Sequence, residues 1–447
     1  MTLERSTSRA DREIERLMTL HPKGFDLSLG RITGLLSRLG DPHKRLPSVI
    51  HIAGTNGKGS TAAFARALLE AEGMAVHVHT SPHLVNWHER YRLAAPGGGR
   101  FVTDHVFAEA ISRVAKANRG EAITVFEILT AVTFILFSEH QADAAIIEVG
   151  LGGRFDATNV VEDPAVSVIM PVSLDHESYL GDRVELIAAE KAGIIKRGVP
   201  VVVGAQESQT ALDVITETAA RLGSPALVYG QDFLAYGENG RLIYQDESGL
   251  MDLPPPRLSG RHQFANAAAA IAAVKAAGFE VSHAGAERAM NSVSWPGRMQ
   301  RLPAGTLSDL APHGSEVWID GGHNPGAGLV MAEALTEQEE RSPRPLFLIA
   351  GMINTKDQTG FFRAFHGIVR HVYTVPVTSS DASVPNEELA AHATEAGLSA
   401  EPVNSVANAL MLLRETWPAG ETPPRILICG SLYLAGAVLK ENGTPPT

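Results

Sequence analysis

Short runs of apolar, often β-branched residues alternate along this chain with stretches whose apolar positions recur at helical spacing. Residues 48–54 (SVIHIAG) read as a strand, and 58–72 as the helix it feeds. The runs 144–150, 165–172 and 199–204 are almost continuously apolar and of strand length. Strands apolar on both faces must be covered on both, which predicts a parallel sheet between helix layers and an α/β fold. Residues 236–260, polar and rich in turn formers, predict a small β insertion ahead of an alanine-rich helix, HQFANAAAAIAAVKAAG. Proline and glycine break the periodicity near 292–305, where a domain boundary is expected. The alternation resumes at 316–320, 345–351, 371–377 and 425–431, predicting a second, smaller α/β domain. The longest apolar stretch, 123–139, carries Glu127 and falls short of the ~20 residues a membrane span needs, so it reads as a buried helix.

Composition narrows the partners. A chain of 447 residues is too long for one ordinary core. Its net charge is -12 with no basic stripe, which argues against nucleic acid and requires any bound anion to be met by local cations or backbone N–H groups. The single cysteine, Cys429, has no internal disulfide partner, and the N-terminal MTLERSTSRADREIERL lacks the apolar core of a signal peptide. A cytoplasmic protein with no membrane segment is expected.

Four segments carry candidate chemistry. HIAGTNGKGST (51–61) sits between strand and helix like a phosphate-binding loop, yet Gly59 intervenes between Lys58 and the hydroxyls of Ser60 and Thr61. Glycines there would turn backbone N–H groups toward phosphate, and the helix N-terminus and Lys58 would add positive charge; the bland alternative is a glycine-rich turn beside an exposed lysine. Glu148 ends a buried strand, where a carboxylate needs either a cation or a loop arginine. Asp175 and His176 follow another strand. Lys191 lies on a helix whose Ile187, Ala188 and nearby Ile194 shield it, leaving open a lysine of lowered pKa or a salt bridge toward Glu190 or Glu185. Thr124 and Glu127 have the spacing of a helix capping box, and Ser81 follows the strand AVHVH.

Taken in order, HIAGTNGKGST, TSPHL, TVFE, EVGLGGRFDATN, LDH…EKAGIIK, GRHQFANAAAA, WPGRM, DGGHNP and GSLYLAG closely resemble the folylpolyglutamate synthase/dihydrofolate synthase family of the Mur ligase superfamily, from about residue 22 to 437. The resemblance explains the odd loop, since G-T-N-G-K-G-[ST] is that superfamily's own spelling. It implies a P-loop ATPase domain with a mostly parallel sheet (1–298) carrying the pterin or folate site, then a Rossmann-like glutamate-ligase domain (299–447). It further implies ATP-dependent addition of L-glutamate to dihydropteroate and to the glutamate tail of tetrahydrofolates through an acyl phosphate. A monofunctional folylpolyglutamate synthase and another Mur-type amino-acid ligase are the alternatives inside the superfamily. A regulatory P-loop NTPase and a non-catalytic folate binder are those outside it.

Carried over by motif, Gly57, Lys58, Gly59 and Ser60 would cradle the ATP phosphates, and Asn266, Arg298 and Asp320 would contact nucleotide, with His323 near the phosphates. Ser60, Ser81, Glu148, His176 and Lys191 would serve two Mg²⁺ sites, Lys191 as a carbamate. Thr124, Val125, Phe126, Glu127, Phe155, Asp156 and Ala157 would line the pterin pocket. Lys58, His176, Lys191 and His323 are the expected catalytic group, and a monomer is the expected state. Gly322 replaces the usual alanine of DGGHNP, and Thr355 a common aspartate; neither touches the phosphate chemistry.

Overall fold

The computed structural model describes residues 9–20 and 28–447. The start of the N-terminal stretch and the beginning of the family resemblance near residue 22 lie outside the described residues. The chain forms two compact units, Met1–Pro255 with Ala265–Val293, and Pro256–Phe264 with Ser294–Thr447.

The first unit is built on eight strands: β1 (Ser48–Ala53), β2 (Val76–His79), β3 (Tyr91–Leu93), β4 (Arg100–Phe101), β5 (Ala144–Glu148), β6 (Val166–Ile169), β7 (Val201–Val203) and β8 (Ala226–Val228). They lie in the order β4-β3-β2-β5-β1-β6-β7-β8. From β2 to β8 every pairing is parallel, while β3 and β4 continue the sheet antiparallel. The apolar runs therefore form a covered parallel sheet, as their lack of alternation demands. Each of these strands is shorter than its apolar run, with residues at the ends of the run passing into the flanking loops. The insertion is a three-stranded antiparallel sheet of β9 (Phe233–Glu238), β10 (Arg241–Asp246) and β11 (Gly249–Leu253).

The apolar stretch after Ile123 is the helix Val125–Glu139, buried continuously from Glu127 to Phe137. Such a helix has little polar face to orient it, so its start is fixed by its cap. Thr124 Oγ1 accepts from the Glu127 N–H at 3.1 Å, and the Glu127 carboxylate accepts from the Thr124 N–H at 2.9 Å. Arg31 Nε donates to both carboxylate oxygens of Glu127 at 3.1 Å, so this buried anion is paired as well as capping. Thr124→Ala is expected to lower stability by about 1 kcal/mol; a urea melt whose midpoint does not move would remove the capping role.

The second unit repeats the plan with β12 (Gln300–Arg301), β13 (Glu316–Ile319), β14 (Leu346–Ala350), β15 (His371–Thr374), β16 (Ala400–Pro402) and β17 (Arg425–Cys429). Their order is β12-β13-β17-β14-β15-β16, parallel except for β12. Cys429 is buried at the end of β17, where its free thiol packs as a small apolar residue.

Candidate active site

Because β2, β5, β1 and β6 are adjacent and parallel, their carboxyl ends bring four distant segments to one edge: Thr80-Ser81, Glu148 with its loop, the loop after Ala53, and residues 170–176. That is the edge at which open α/β sheets bind ligands.

The loop after β1 runs straight into the helix Lys58–Ala71. Gly57 caps that helix at φ +82, a conformation costly for any residue with a side chain. A Cβ on Gly57 would also lie 2.7 Å from Asn266 Oδ1, so the expected nucleotide-contacting asparagine stands directly against the phosphate loop. The loop is tied to the strand beside it: the Thr55 N–H donates to the Pro171 carbonyl at 2.8 Å, and Thr55 Oγ1 accepts from the Ser173 N–H at 3.1 Å. Ser60 and Thr61 are buried in the first turn of the helix, and Thr61 donates to Met170 Sδ at 3.4 Å.

Two lysines converge on this loop. Lys58 Nζ donates to the Gly54 carbonyl at 3.0 Å and to the Thr55 carbonyl at 3.3 Å. Lys191 Nζ, only 5% exposed, donates to the same Gly54 oxygen at 3.0 Å. Burial, and next the neighbouring Lys58 charge, push the Lys191 ammonium down to about 7. The salt bridges that a bland reading offered to Lys191 lie elsewhere, with Glu190 toward Arg154 (3.9 Å) and Glu185 against Arg183 (3.0 Å). The helix Val184–Ala192 points Ile187, Ala188 and Lys191 inward together, and the hydrocarbon stem of Lys191 shares their apolar surroundings.

Glu148, 5% exposed, accepts from the Ser81 N–H at 3.2 Å through Oε2, so these two expected metal residues are brought side by side. His176 stands at the end of the loop after β6, exposed, in a left-handed backbone conformation (φ +55), with Nε2 3.9 Å from Asp175. Among the described residues no group of three or more His, Cys, Asp or Glu side chains gathers closely enough to hold a metal by itself. Hydroxyl and carboxylate oxygens in small number, at a phosphate loop, fit Mg²⁺, which keeps waters and takes substrate phosphates as ligands.

The loop after Glu148 is shaped from within. Asp156 is buried, and its Oδ2 accepts from the N–H groups of Gly150 (3.0 Å) and Leu151 (2.9 Å). Its Oδ1 accepts from the N–H and hydroxyl of Thr158 at 2.9 and 2.5 Å. This carboxylate folds its own loop, and burial raises its pKa against those four donors. Phe126 lies over Gly150, where a Cβ would come within 2.4 Å of its Cζ. Phe155, by contrast, is 40% exposed, and Leu174 on the loop after β6 and Tyr179 in the short helix Glu177–Leu180 that follows it are exposed as well. The Arg154 N–H donates to the Glu190 carbonyl at 2.8 Å, fastening the loop to the helix that carries Lys191. Nothing in the sequence singled out His51 and Thr158, whose side chains meet at 2.9 Å across 107 residues. A polar side chain at an otherwise apolar strand position was the available signal.

The second unit holds its own cluster at the ends of β13 and β17. Asp320 is buried and accepts from the N–H groups of Met299 (2.7 Å) and Gly322 (2.6 Å). Burial raises its pKa, opposed first by the Arg298 charge. His323 Nδ1 lies 2.9 Å from the Gly321 carbonyl, and Asn324 caps the helix Pro325–Arg341 through the Ala327 N–H at 2.8 Å. Arg298, Asp320 and His323 therefore share one loop cluster in that unit.

The Mur ligase middle domain family matches residues 52–274. The dihydrofolate synthase/folylpolyglutamate synthase of Escherichia coli is 32% identical over 428 residues, spanning 95% of this chain and 93% of that protein. Among solved structures, E. coli FolC in complex with DHPP and ADP matches with a TM-score of 0.83 at 31% identity, covering 98% of each chain. The bifunctional enzyme from Yersinia pestis, complexed with AMPPNP and Mn ion, matches with a TM-score of 0.84 at 28% identity over 98% of this chain and 99% of that one.

Proposed function

This chain belongs to the folylpolyglutamate synthase/dihydrofolate synthase family of Mur ligases, and on that premise we propose that it joins L-glutamate both to dihydropteroate and to the glutamate tail of tetrahydrofolates. The chemistry is that of an ATP-dependent acid–amino-acid ligase. A carboxylate oxygen of the acid attacks the γ-phosphorus of ATP and ADP departs, leaving an acyl phosphate. The amine of glutamate then attacks the acyl carbon, the amide bond forms, and phosphate leaves with the former carboxylate oxygen. A bare carboxylate is a poor acyl donor, and phosphorylation supplies the leaving group. Two anions must meet for the first step, so positive charge at the site is the central requirement.

The observation that carries this reading is the convergence of Lys58 and Lys191 on the Gly54 carbonyl, beside the buried Glu148 and the N-terminus of the helix Lys58–Ala71. We assign phosphate binding to Gly57, Lys58, Gly59 and Ser60, with Asn266 beside them, and nucleotide or phosphate contacts also to Arg298, Asp320 and His323. Ser60, Ser81, Glu148, His176 and a carbamylated Lys191 are assigned to Mg²⁺, which when bound neutralises phosphate charge. Thr124–Glu127 and Phe155–Ala157 are assigned to the pterin, Phe155 by its exposed ring and Asp156 by the shape it gives the loop. The division into an ATP-binding domain (1–298) and a glutamate-ligase domain (299–447), a monomeric state and a cytoplasmic location belong to the same proposal. Among the described residues no helix is long and apolar enough to cross a membrane.

The test is a paired assay with ATP, Mg²⁺ and glutamate plus either dihydropteroate or tetrahydrofolate, each ¹⁸O-labelled in the reacting carboxylate. Label is expected in inorganic phosphate with both acids. Label with the folate alone would leave a monofunctional folylpolyglutamate synthase, and label with neither would remove the acyl-phosphate route.

A further inference from the structure

We propose that His51, although it lies on the strand that feeds the phosphate loop, is a positioning residue for the loop that receives the acid substrate, acting through Thr158 and Asp156. The inference rests on the assignment of the loop Gly150–Ala157 to the pterin site.

The hydrogen bonds fix the direction of the chain. Thr158 has one hydroxyl proton and gives it to Asp156 Oδ1 at 2.5 Å. Its oxygen must then accept from His51 Nε2, 2.9 Å away, so His51 carries its proton on Nε2. The other ring nitrogen, Nδ1, is bare, buried, and without a hydrogen-bond partner among the described residues. Complete burial pushes the pKa of the ring down to about 3, which keeps it neutral and preserves this single tautomer. Nε2–H of His51, the Thr158 hydroxyl and the Asp156 carboxylate thus form one polarised line ending at the N–H groups of Gly150 and Leu151.

Two features make this line more than a core detail. It joins β1 to a loop that is held besides by its own internal bonds, by Phe126 over Gly150, by Lys196 on the Asn159 carbonyl, and by Arg154 and Asn159 on the Glu190 and Gly193 carbonyls at the end of the helix that carries Lys191. It also ends where Phe126 lies over Gly150 and Phe155 projects, so a loosened Asp156 would shift the surfaces assigned to a flat, aromatic pterin. The phosphate-binding groups start beyond β1 and are braced separately by Pro171 and Ser173. Loss of the His51 line should therefore weaken the acid substrate and spare ATP.

The test measures binding of dihydropteroate and, in the same preparation, of ATP to the full-length chain by titration calorimetry, for His51→Leu, His51→Gln, Thr158→Val and Thr158→Ser. His51→Leu and Thr158→Val are expected to weaken dihydropteroate about tenfold, the scale of one lost buried hydrogen bond, with ATP affinity changed less than about twofold. His51→Gln, whose amide N–H reaches toward the Nε2 position, and Thr158→Ser should each restore most of that loss. ATP affinity in each sample reports whether the first unit is folded, and Thr158→Val carries the test if His51→Leu does not fold. Equal losses for both ligands, no loss in Thr158→Val, or a glutamine variant as poor as the leucine variant would overturn the proposal. A wild-type chain that binds ATP but no dihydropteroate would instead overturn the pterin assignment on which it rests.

Discussion

Replacing Lys191 with alanine is expected to lower turnover with either acid substrate by at least on the order of 10³-fold, the range seen when a group stabilising transferring phosphoryl charge is removed. The reason lies in the shared Gly54 carbonyl. Two ammonium groups that donate to one oxygen repel each other, and the buried one yields its proton near neutrality. A neutral amine in that position is a nucleophile for CO₂. The resulting carbamate would replace a repulsive pair of cations with an anion facing Lys58 and a metal. Lys191→Arg separates this from a plain cationic role, because a guanidinium stays charged and forms no carbamate. The arginine variant should be as inactive as the alanine one, and added bicarbonate should rescue neither. A carbonyl resonance from ¹³C-bicarbonate is expected in the wild-type protein and absent in both variants. Near-normal turnover in the arginine variant would dispose of the carbamate.

Glu148→Gln has the second largest expected effect. The substitution preserves shape, and its amide oxygen can still accept the Ser81 N–H, so the carboxyl end of β5 keeps its geometry. What disappears is a negative charge held almost dry at the phosphate edge. The Mg²⁺ concentration for half-maximal activity should rise by roughly ten- to a hundredfold, with kcat reduced even at saturating metal. An unchanged magnesium titration would assign Glu148 to scaffolding alone.

Much of this was legible in the chain because it depends on neighbours in sequence. Continuous apolar runs specified covered parallel strands, and the glycines around Lys58 specified the strand-to-helix turn. Thr124 and Glu127 specified a cap that the structure makes in full. The order of motifs specified the family. The polar side chains were harder to place. Lys191 could be given a salt bridge or a lowered pKa from its helix, and only its partner, 137 residues away, distinguishes the two. Asp156 could be read as lining a pocket, whereas its carboxylate is spent on folding the loop that would do so.

What the sequence determined by itself is therefore the set of elements, their caps and the chemical groups at their ends. Dihedral preference and hydrophobic period act over a few residues and leave a local imprint. What only the tertiary structure decided is which ends meet: β2 beside β5 joins Ser81 to Glu148, and β1 beside β6 braces the phosphate loop on Pro171 and Ser173. Strand order is chosen by burial of the whole sheet between its helix layers, and no apolar run records which other run will lie against it.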